Sequence, residues 1–229
     1  MSASRQRQRD RTAFTLLELL AVVAIIGILA AIVIPTTAAV RNSALKARTR
    51  VQLGQWAVAI DLFREEYGAY PVFATGAKVN AGAAAALGAV HPFHDLLAGR
   101  RRDGSALPET VGAAVDGVPP PEAQNVRHVA FVRFAAADLF GADAPTATEV
   151  ALLHDAFGGT DIAVLVDRNG DGWINARDYP QWPEVGPPDA PLRRIIPAEP
   201  ITTGIRTGVL LYSAPPGATA AADLIRNVP

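Results

Sequence analysis

Cysteine is absent from the 229 residues, so no disulfide can hold a loop closed, even in an exported domain whose compartment would permit one. Histidine is scarce too: the four present show no zinc-ligand spacing, and His91-Pro92-Phe93-His94 is read as a turn carrying a surface pair. An excess of one charge sign is also lacking. Lys and Arg number 21 against 22 Asp and Glu, and no basic patch argues for nucleic acid as a partner. Ser213 has no Gly-x-Ser-x-Gly setting, so no residue pattern carries catalysis and the chain is read as not an enzyme. Its three tryptophans, Trp56, Trp173 and Trp182, are read as packing residues rather than as a binding box.

One long apolar run is present. From Leu19 to Ile34 every residue is Leu, Ala, Val, Ile or Gly, and counting back to Phe14 gives 21 residues, near the roughly 20 that span a bilayer. Arg5, Arg7, Arg9 and Arg11 outnumber Asp10 ahead of it, so the positive-inside rule predicts a cytoplasmic N-terminus and export of the chain beyond Pro35. Glu18 is the one carboxylate in this stretch. At mid-bilayer a charged carboxylate costs about 2.5 to 3.5 kcal/mol. One turn from the cytoplasmic end, snorkelling relieves much of that, so Glu18 is either a tolerated interfacial acid or a residue with a partner. A secretory signal cut near Thr37-Ala38-Ala39 is a further reading, but the apolar core exceeds the roughly 7 to 15 residues of such signals and contains an acid.

The string Ala13-Phe14-Thr15-Leu16-Leu17-Glu18-Leu19, behind a basic leader and ahead of the apolar run, closely resembles the processing site of type IV pilin-like precursors, the signal of pilins and of type II secretion pseudopilins. The resemblance implies that a prepilin peptidase cuts between Ala13 and Phe14 and methylates the new amino group of Phe14. Glu18 would then lie four residues from a fresh ammonium, and a poorly solvated amine and carboxylate on neighbouring subunits attract strongly, which sets the register of assembly. Pro35, twenty-one residues after Phe14, adds to the likeness; where the family most often has Gly before the cut, this chain has Ala13. Loss of residues 1–13 removes four Arg and one Asp and leaves 17 basic and 21 acidic side chains, a net of −4.

Beyond Pro35, Leu53, Trp56, Ala57, Ile60, Phe63 and Tyr67 recur at steps of three and four among polar residues, which predicts a long helix with one buried stripe ending at Gly68. The run from Ala59 to Pro71 resembles the pseudopilin segment that ends the spine helix in a Gly-x-Tyr-Pro turn. A short helix is predicted near Ala83 to Leu97, with a basic cluster at Arg100, Arg101 and Arg102. Pro119-Pro120-Pro121 and Gly186-Pro187-Pro188 read as turns or extended linkers. Strands are predicted at Val129–Phe134, Asp161–Val166 and Gly208–Ala214. Asp155-Ala156-Phe157-Gly158 resembles the turn that opens the sheet in core pseudopilins, and Val209 to Gly217 resembles their C-terminal strand.

Residues 167–178 fit the twelve-residue EF-hand register, with oxygen side chains at loop positions 1, 3, 5, 9 and 12, Gly at 6 and an aliphatic at 8. The donors are Asp167, Asn169, Asp171, the Trp173 carbonyl, Asn175 directly or through water, and Asp178. Asp at position 12 and neutral Asn175 at position 9 weaken affinity. A preceding strand and Pro180 make this an EF-hand-like loop on a β scaffold, and the competing reading is an unmetallated Asn/Gly/Asp turn. Calcium here would be structural. Core pseudopilins, which the chain resembles, commonly use bound calcium where many major pilins use a disulfide, so the missing cysteines favour that group.

The expected architecture is α+β: a long N-terminal hydrophobic and amphipathic helix packed on a small antiparallel β-sheet, with an EF-hand-like calcium loop. The expected organisation is a cleaved cytoplasmic leader at 1–13, a transmembrane and filament-core half-helix at 14–35, an amphipathic half at 36–68, a variable Ala/Gly/Pro-rich connection at 69–150 and a β-sheet region at 151–229. The resemblance implies a pseudopilin of a type II secretion-type machine that drives protein export. Its implied location is the bacterial inner membrane, single-pass, with a periplasmic C-terminal domain and a periplasmic filament after assembly. Implied partners are copies of itself in a helical filament, other pseudopilins, the prepilin peptidase, an inner-membrane assembly platform and, before assembly, membrane lipid. The alternatives are a type IV or minor pilin, a solitary membrane-anchored calcium-binding surface module, and an exported hydrolase.

Overall fold

The computed structural model describes residues 16–73, 77–84, 86–115, 117–141 and 149–228, except for the side chains of 32–36. The chain divides into two compact units, Met1–Ala44 and Leu45–Pro229. The first helix, α1, runs from Leu16 to Tyr67. Within the second unit its stripe is buried as the spacing predicts: Leu53, Trp56, Ile60 and Phe63 are inaccessible, while Val51, Val58 and Leu62 on the other faces are exposed. The helix stops where Gly68 takes φ 78°, a left-handed conformation that costs glycine little, and its amide closes on the Arg64 carbonyl at 2.8 Å.

Three strands form one antiparallel sheet in the order β1 (Ala163–Val166), β2 (Val209–Ser213), β3 (Ile225–Arg226). Ala163 faces Tyr212, Val164 faces Leu211, Leu165 faces Leu210 and Val166 faces Val209. Successive side chains on a strand point to opposite faces, and both faces of this sheet are covered. Val164, Val166, Val209, Leu211 and Ile225 pack with the α1 stripe in one core, while Ala163, Leu165, Leu210 and Tyr212 pack in a second core with Ile174, Tyr179, Trp182, Val185 and Ile195. Burial on both sides is why β1 and β2 read as continuous apolar runs rather than as alternating ones. The second core is built by the long β1–β2 connection, so residues 167–208 are a structural layer of the domain.

Several expectations need correction. The helix predicted at Ala83–Leu97 is α2, Pro92–Ala98: Pro92 at its first position sets the start, and residues 86–89 ahead of it form turns. Val129–Phe134 is not a strand. The amides of Phe131 and Val132 both reach the Leu97 carbonyl at the end of α2, which ties this segment to a helix terminus rather than a sheet edge. Pro121 does not continue a linker but opens a one-turn helix, α3 (Pro121–Gln124). Nor is Val209–Ser213 the last strand, because β3 comes after it and pairs with it through Tyr212 and Ser213. Of the three tryptophans, Trp56 and Trp182 pack as expected, whereas Trp173 is 39% exposed on the 167–178 loop.

Because Ile60 is wholly buried between α1 and the sheet, Ile60→Ala is expected to cost about 2–5 kcal/mol of unfolding free energy, while Val58→Ala on the exposed face should stay within about 0.5 kcal/mol. Denaturant titration of the full chain in detergent, followed by tryptophan fluorescence, checks the difference; equal losses would contradict the assignment of the stripe.

Candidate functional site

At its N-terminal end α1 is apolar on every side. Leu16, Leu17, Leu19, Leu20, Val23, Ile25, Ile26 and Ile28 are each more than half exposed, so this unit by itself buries none of them. Glu18 lies in the first turn, where the positive end of the helix dipole favours a carboxylate. Ala13 and Phe14, the expected processing site, lie outside the described residues, as do the side chains of 32–36 including Pro35. Among the described residues no helix is long and apolar enough to cross a membrane, so a transmembrane half-helix over 14–35 is not among the observed features.

The 167–178 loop leaves the end of β1 and is closed by its own amides. Asp167 accepts from Gly170 N through Oδ1 at 2.7 Å and from Gly172 N through Oδ2 at 2.8 Å. Asp178 accepts from Arg168 N and Asn169 N through Oδ1, at 2.9 and 3.2 Å, and from Asn175 N through Oδ2 at 3.2 Å. Asn169, Asp171 and Asn175 each accept from the amide two residues on, at 2.8 Å, the Asx-turn pattern that suits these residues to tight loops. Gly172 turns the chain with φ 84°. Ile174 is buried and bridges Ile205 through a reciprocal amide–carbonyl pair at 2.9 and 3.0 Å, and the Tyr179 hydroxyl accepts from Val166 N at 3.0 Å, so the loop is clamped to the sheet.

Asp167 and Asp178 are both more than nine-tenths buried, and the amide next to Asp167 is held by Asp178, so two carboxylates are drawn to one place. Neither makes an ion pair among the described residues; Asp171 alone in the loop approaches a cation, Arg177, at 4.0 Å. Yet among the described residues no three acidic, imidazole or thiol side chains are gathered into a metal-holding group. The oxygen donors are therefore of the right chemistry for a hard cation, while most of their visible bonds are to the loop backbone.

The His91–His94 pair is buried rather than on the surface, because the apolar side of α2 carries it into the core with Phe93, Leu96 and Leu97. His91 is the N-cap of α2: its Nδ1 accepts from His94 N at 3.3 Å, and its Nε2 lies 3.0 Å from Asn80 Oδ1. Nδ1 as acceptor fixes the neutral ring with the proton on Nε2. Asp95 accepts from His91 N at 2.9 Å and lies 3.0 Å from His94 Nδ1. Burial, with the positive charge of Arg102 nearby, holds the His91 pKa well below its usual 6.5. The spacing of Phe93, Leu96 and Leu97 was the one sequence signal that this segment faces inward.

The turn at Asp155 precedes the sheet as its resemblance implies: Asp155 Oδ1 accepts from Phe157 N at 2.9 Å and Gly159 N at 2.8 Å. Its second oxygen and the Ser213 hydroxyl are both buried, and the hydroxyl lies near enough to pull on the carboxylate without well-formed hydrogen-bond geometry. Burial pushes the Asp155 carboxyl above the usual carboxylate range, against the pull of those amides.

A family model, the prokaryotic N-terminal methylation motif, matches residues 8–34. The chain's N-terminus is thus of the prepilin type found in type IV pilin-like proteins, and the matched residues take in Arg9 and Arg11 of the basic leader, Ala13, Phe14, Glu18 and the apolar run. No curated protein and no solved structure matches the chain.

His91 is neutral in the folded state with a depressed pKa, so its contribution to stability is full above about pH 6.5, the unfolded value, and declines as pH falls below it. Chemical denaturation at pH 7.5 and pH 5.5 should therefore show a loss of stability on acidification that is smaller in His91→Asn. Equal pH slopes in the two proteins would contradict the assignment.

Proposed function

We propose that this chain is a structural filament subunit, a pseudopilin of a type II secretion-type machine, that works through its N-terminal helix. The observation that carries the reading is the prepilin-type motif over residues 8–34. In this reading a peptidase cuts between Ala13 and Phe14 and methylates the Phe14 amine. Before assembly the segment 14–35 sits in the bacterial inner membrane with the domain in the periplasm, because the apolar groups exposed along Leu16–Leu29 have no cover within their own unit. In the filament they pack against copies of the same helix, and Glu18 of one copy meets the Phe14 amine of its neighbour. Other pseudopilins and the inner-membrane platform are the partners this assembly requires. The choice of secretion machine over pilus rests on the missing cysteines and on the Ala59–Pro71 segment.

The 167–178 loop is proposed as a structural calcium site held by Asp167, Asn169, Asp171, the Trp173 carbonyl, Asn175 and Asp178. Two buried carboxylates of like sign, with no ion pair among the described residues, are its support. A bound calcium would supply the missing positive charge and take over the clamping that a disulfide provides elsewhere.

Glu18→Ala is expected to leave processing intact while reducing filament recovery to background, read by electron microscopy of sheared or membrane fractions; wild-type filament levels in that variant would sink the pairing. At calcium about 100 times its Kd the melting temperature should rise by about 5–10 °C, corresponding to about 2.7 kcal/mol. Asp171→Ala, an exposed ligand position, should lose that calcium-dependent rise, and a melt insensitive to calcium or chelator would refute the metal.

A further inference from the structure

Four arginines meet at one surface cleft. Arg100, Arg101 and Arg102 come directly after α2, and Arg133 comes from the extended segment that docks on the end of α2; with Phe134 and Phe140 they line a cavity of about 670 Å³. Among the described residues the only acid on its wall is Asp103, and that carboxylate is turned to Ser105, whose amide and hydroxyl it binds at 2.8 and 2.6 Å. A wall with one carboxylate against four guanidiniums focuses a positive potential into a space with phenyl sides.

The four arginines are not equivalent. Arg102 is a fixture: its guanidinium spans the carbonyls of Ala84, Ala86 and Ala89 at 2.8–3.1 Å and that of Ala151. Its Nε is buried with no acceptor, so even this anchored group retains an unpaired donor. Arg101 holds one carbonyl, that of Gly88, at 3.1 Å. Arg100 and Arg133 are exposed and make no side-chain hydrogen bond or ion pair among the described residues. The fold thus positions a cationic floor and, among the described residues, leaves two forks of donors unpaired at the rim.

We propose that this cleft binds a short acidic segment of a partner polypeptide, with its carboxylates paired to Arg100 and Arg133 and its side-chain stems against Phe134 and Phe140. Guanidinium forks match carboxylates in bidentate geometry, and the volume lies within the range of small-ligand pockets, room for a few residues. Charge elsewhere argues for a short occupant over an extended polyanion. Setting aside residues 1–13, the chain has 17 basic and 21 acidic side chains; without the cleft's four arginines and one aspartate, 13 basic and 20 acidic remain. A nucleic acid strand running beyond the cleft would meet net negative charge, which a short peptide confined to the cleft avoids. This proposal stands independently of the filament reading.

The test is fluorescence anisotropy of a labelled hexaglutamate peptide titrated with the purified full chain in neutral detergent at about 0.15 M salt. Arg100→Ala combined with Arg133→Ala is expected to weaken binding about tenfold, as two lost rim contacts would. Its melting temperature should be unchanged, since neither side chain bonds to the fold among the described residues, and Arg206→Ala, an exposed arginine outside the cleft, should bind within about twofold of wild type. A neutral Gly/Ser peptide should not bind, and a single-stranded oligonucleotide of equal charge should bind more weakly than hexaglutamate. Absence of hexaglutamate binding, equal affinity of the double variant, or tighter binding of the oligonucleotide would overturn the proposal.

Discussion

Everything distinctive about this chain depends on an apolar surface that its own unit does not cover. Leu16, Leu17, Leu20 and Val23 to Ile28 stand exposed along the start of α1, and a helix that is apolar all round is at rest only inside a larger apolar body. Water is not that body. Lipid or a bundle of like helices is, and the prepilin-type motif over residues 8–34 points to both in succession. A single carboxylate, Glu18, sits in the first turn of this apolar stretch, and the proposed assembly uses it to specify a register that dispersion and burial alone leave free.

The second unit answers the opposite requirement: it holds the last turns of α1 rigidly. Leu53, Trp56, Ile60 and Phe63 share a core with one face of β1 and β2, and Gln52 adds bonds to Asp138 Oδ1 at 3.0 Å and the His154 carbonyl at 2.9 Å. The other face of the same strands is sealed by residues 174–195, so the loop at 167–178 is anchored at one end by β1 and at its middle by the Ile174–Ile205 bridge. In a domain without cysteine, this double coverage of a very small sheet replaces covalent closure.

Much of this was legible in the residues. The 3.6-residue period of the α1 stripe, the glycine that ends it and the apolar runs of β1 and β2 are local signals, and each element formed where its signal lies. What escaped is set by partners distant in sequence. Ile225–Arg226 is a strand only because β2 offers it an edge, and Val129–Phe134, strand-like in composition, spends its amides on the carbonyl of Leu97 instead. His91 and His94 lie deeper than their sequence suggests for a related reason: polar composition points to a surface turn, but Asn80, Asp95 and the α2 amides satisfy their nitrogens inside the core. The oxygen spacing of 167–178 predicted its tight turns, whereas the approach of Arg133 to Arg100–Arg102 has no signature in spacing at all.

The most direct test of the central claim is the intact mass of the protein extracted from membranes of cells that contain a prepilin peptidase and of cells that lack it. The account predicts a chain beginning at Phe14 and heavier by one methyl group when the peptidase is present, and the uncut chain when it is absent. The same full-length mass in both, or a cut after Ala39 in either, would contradict it.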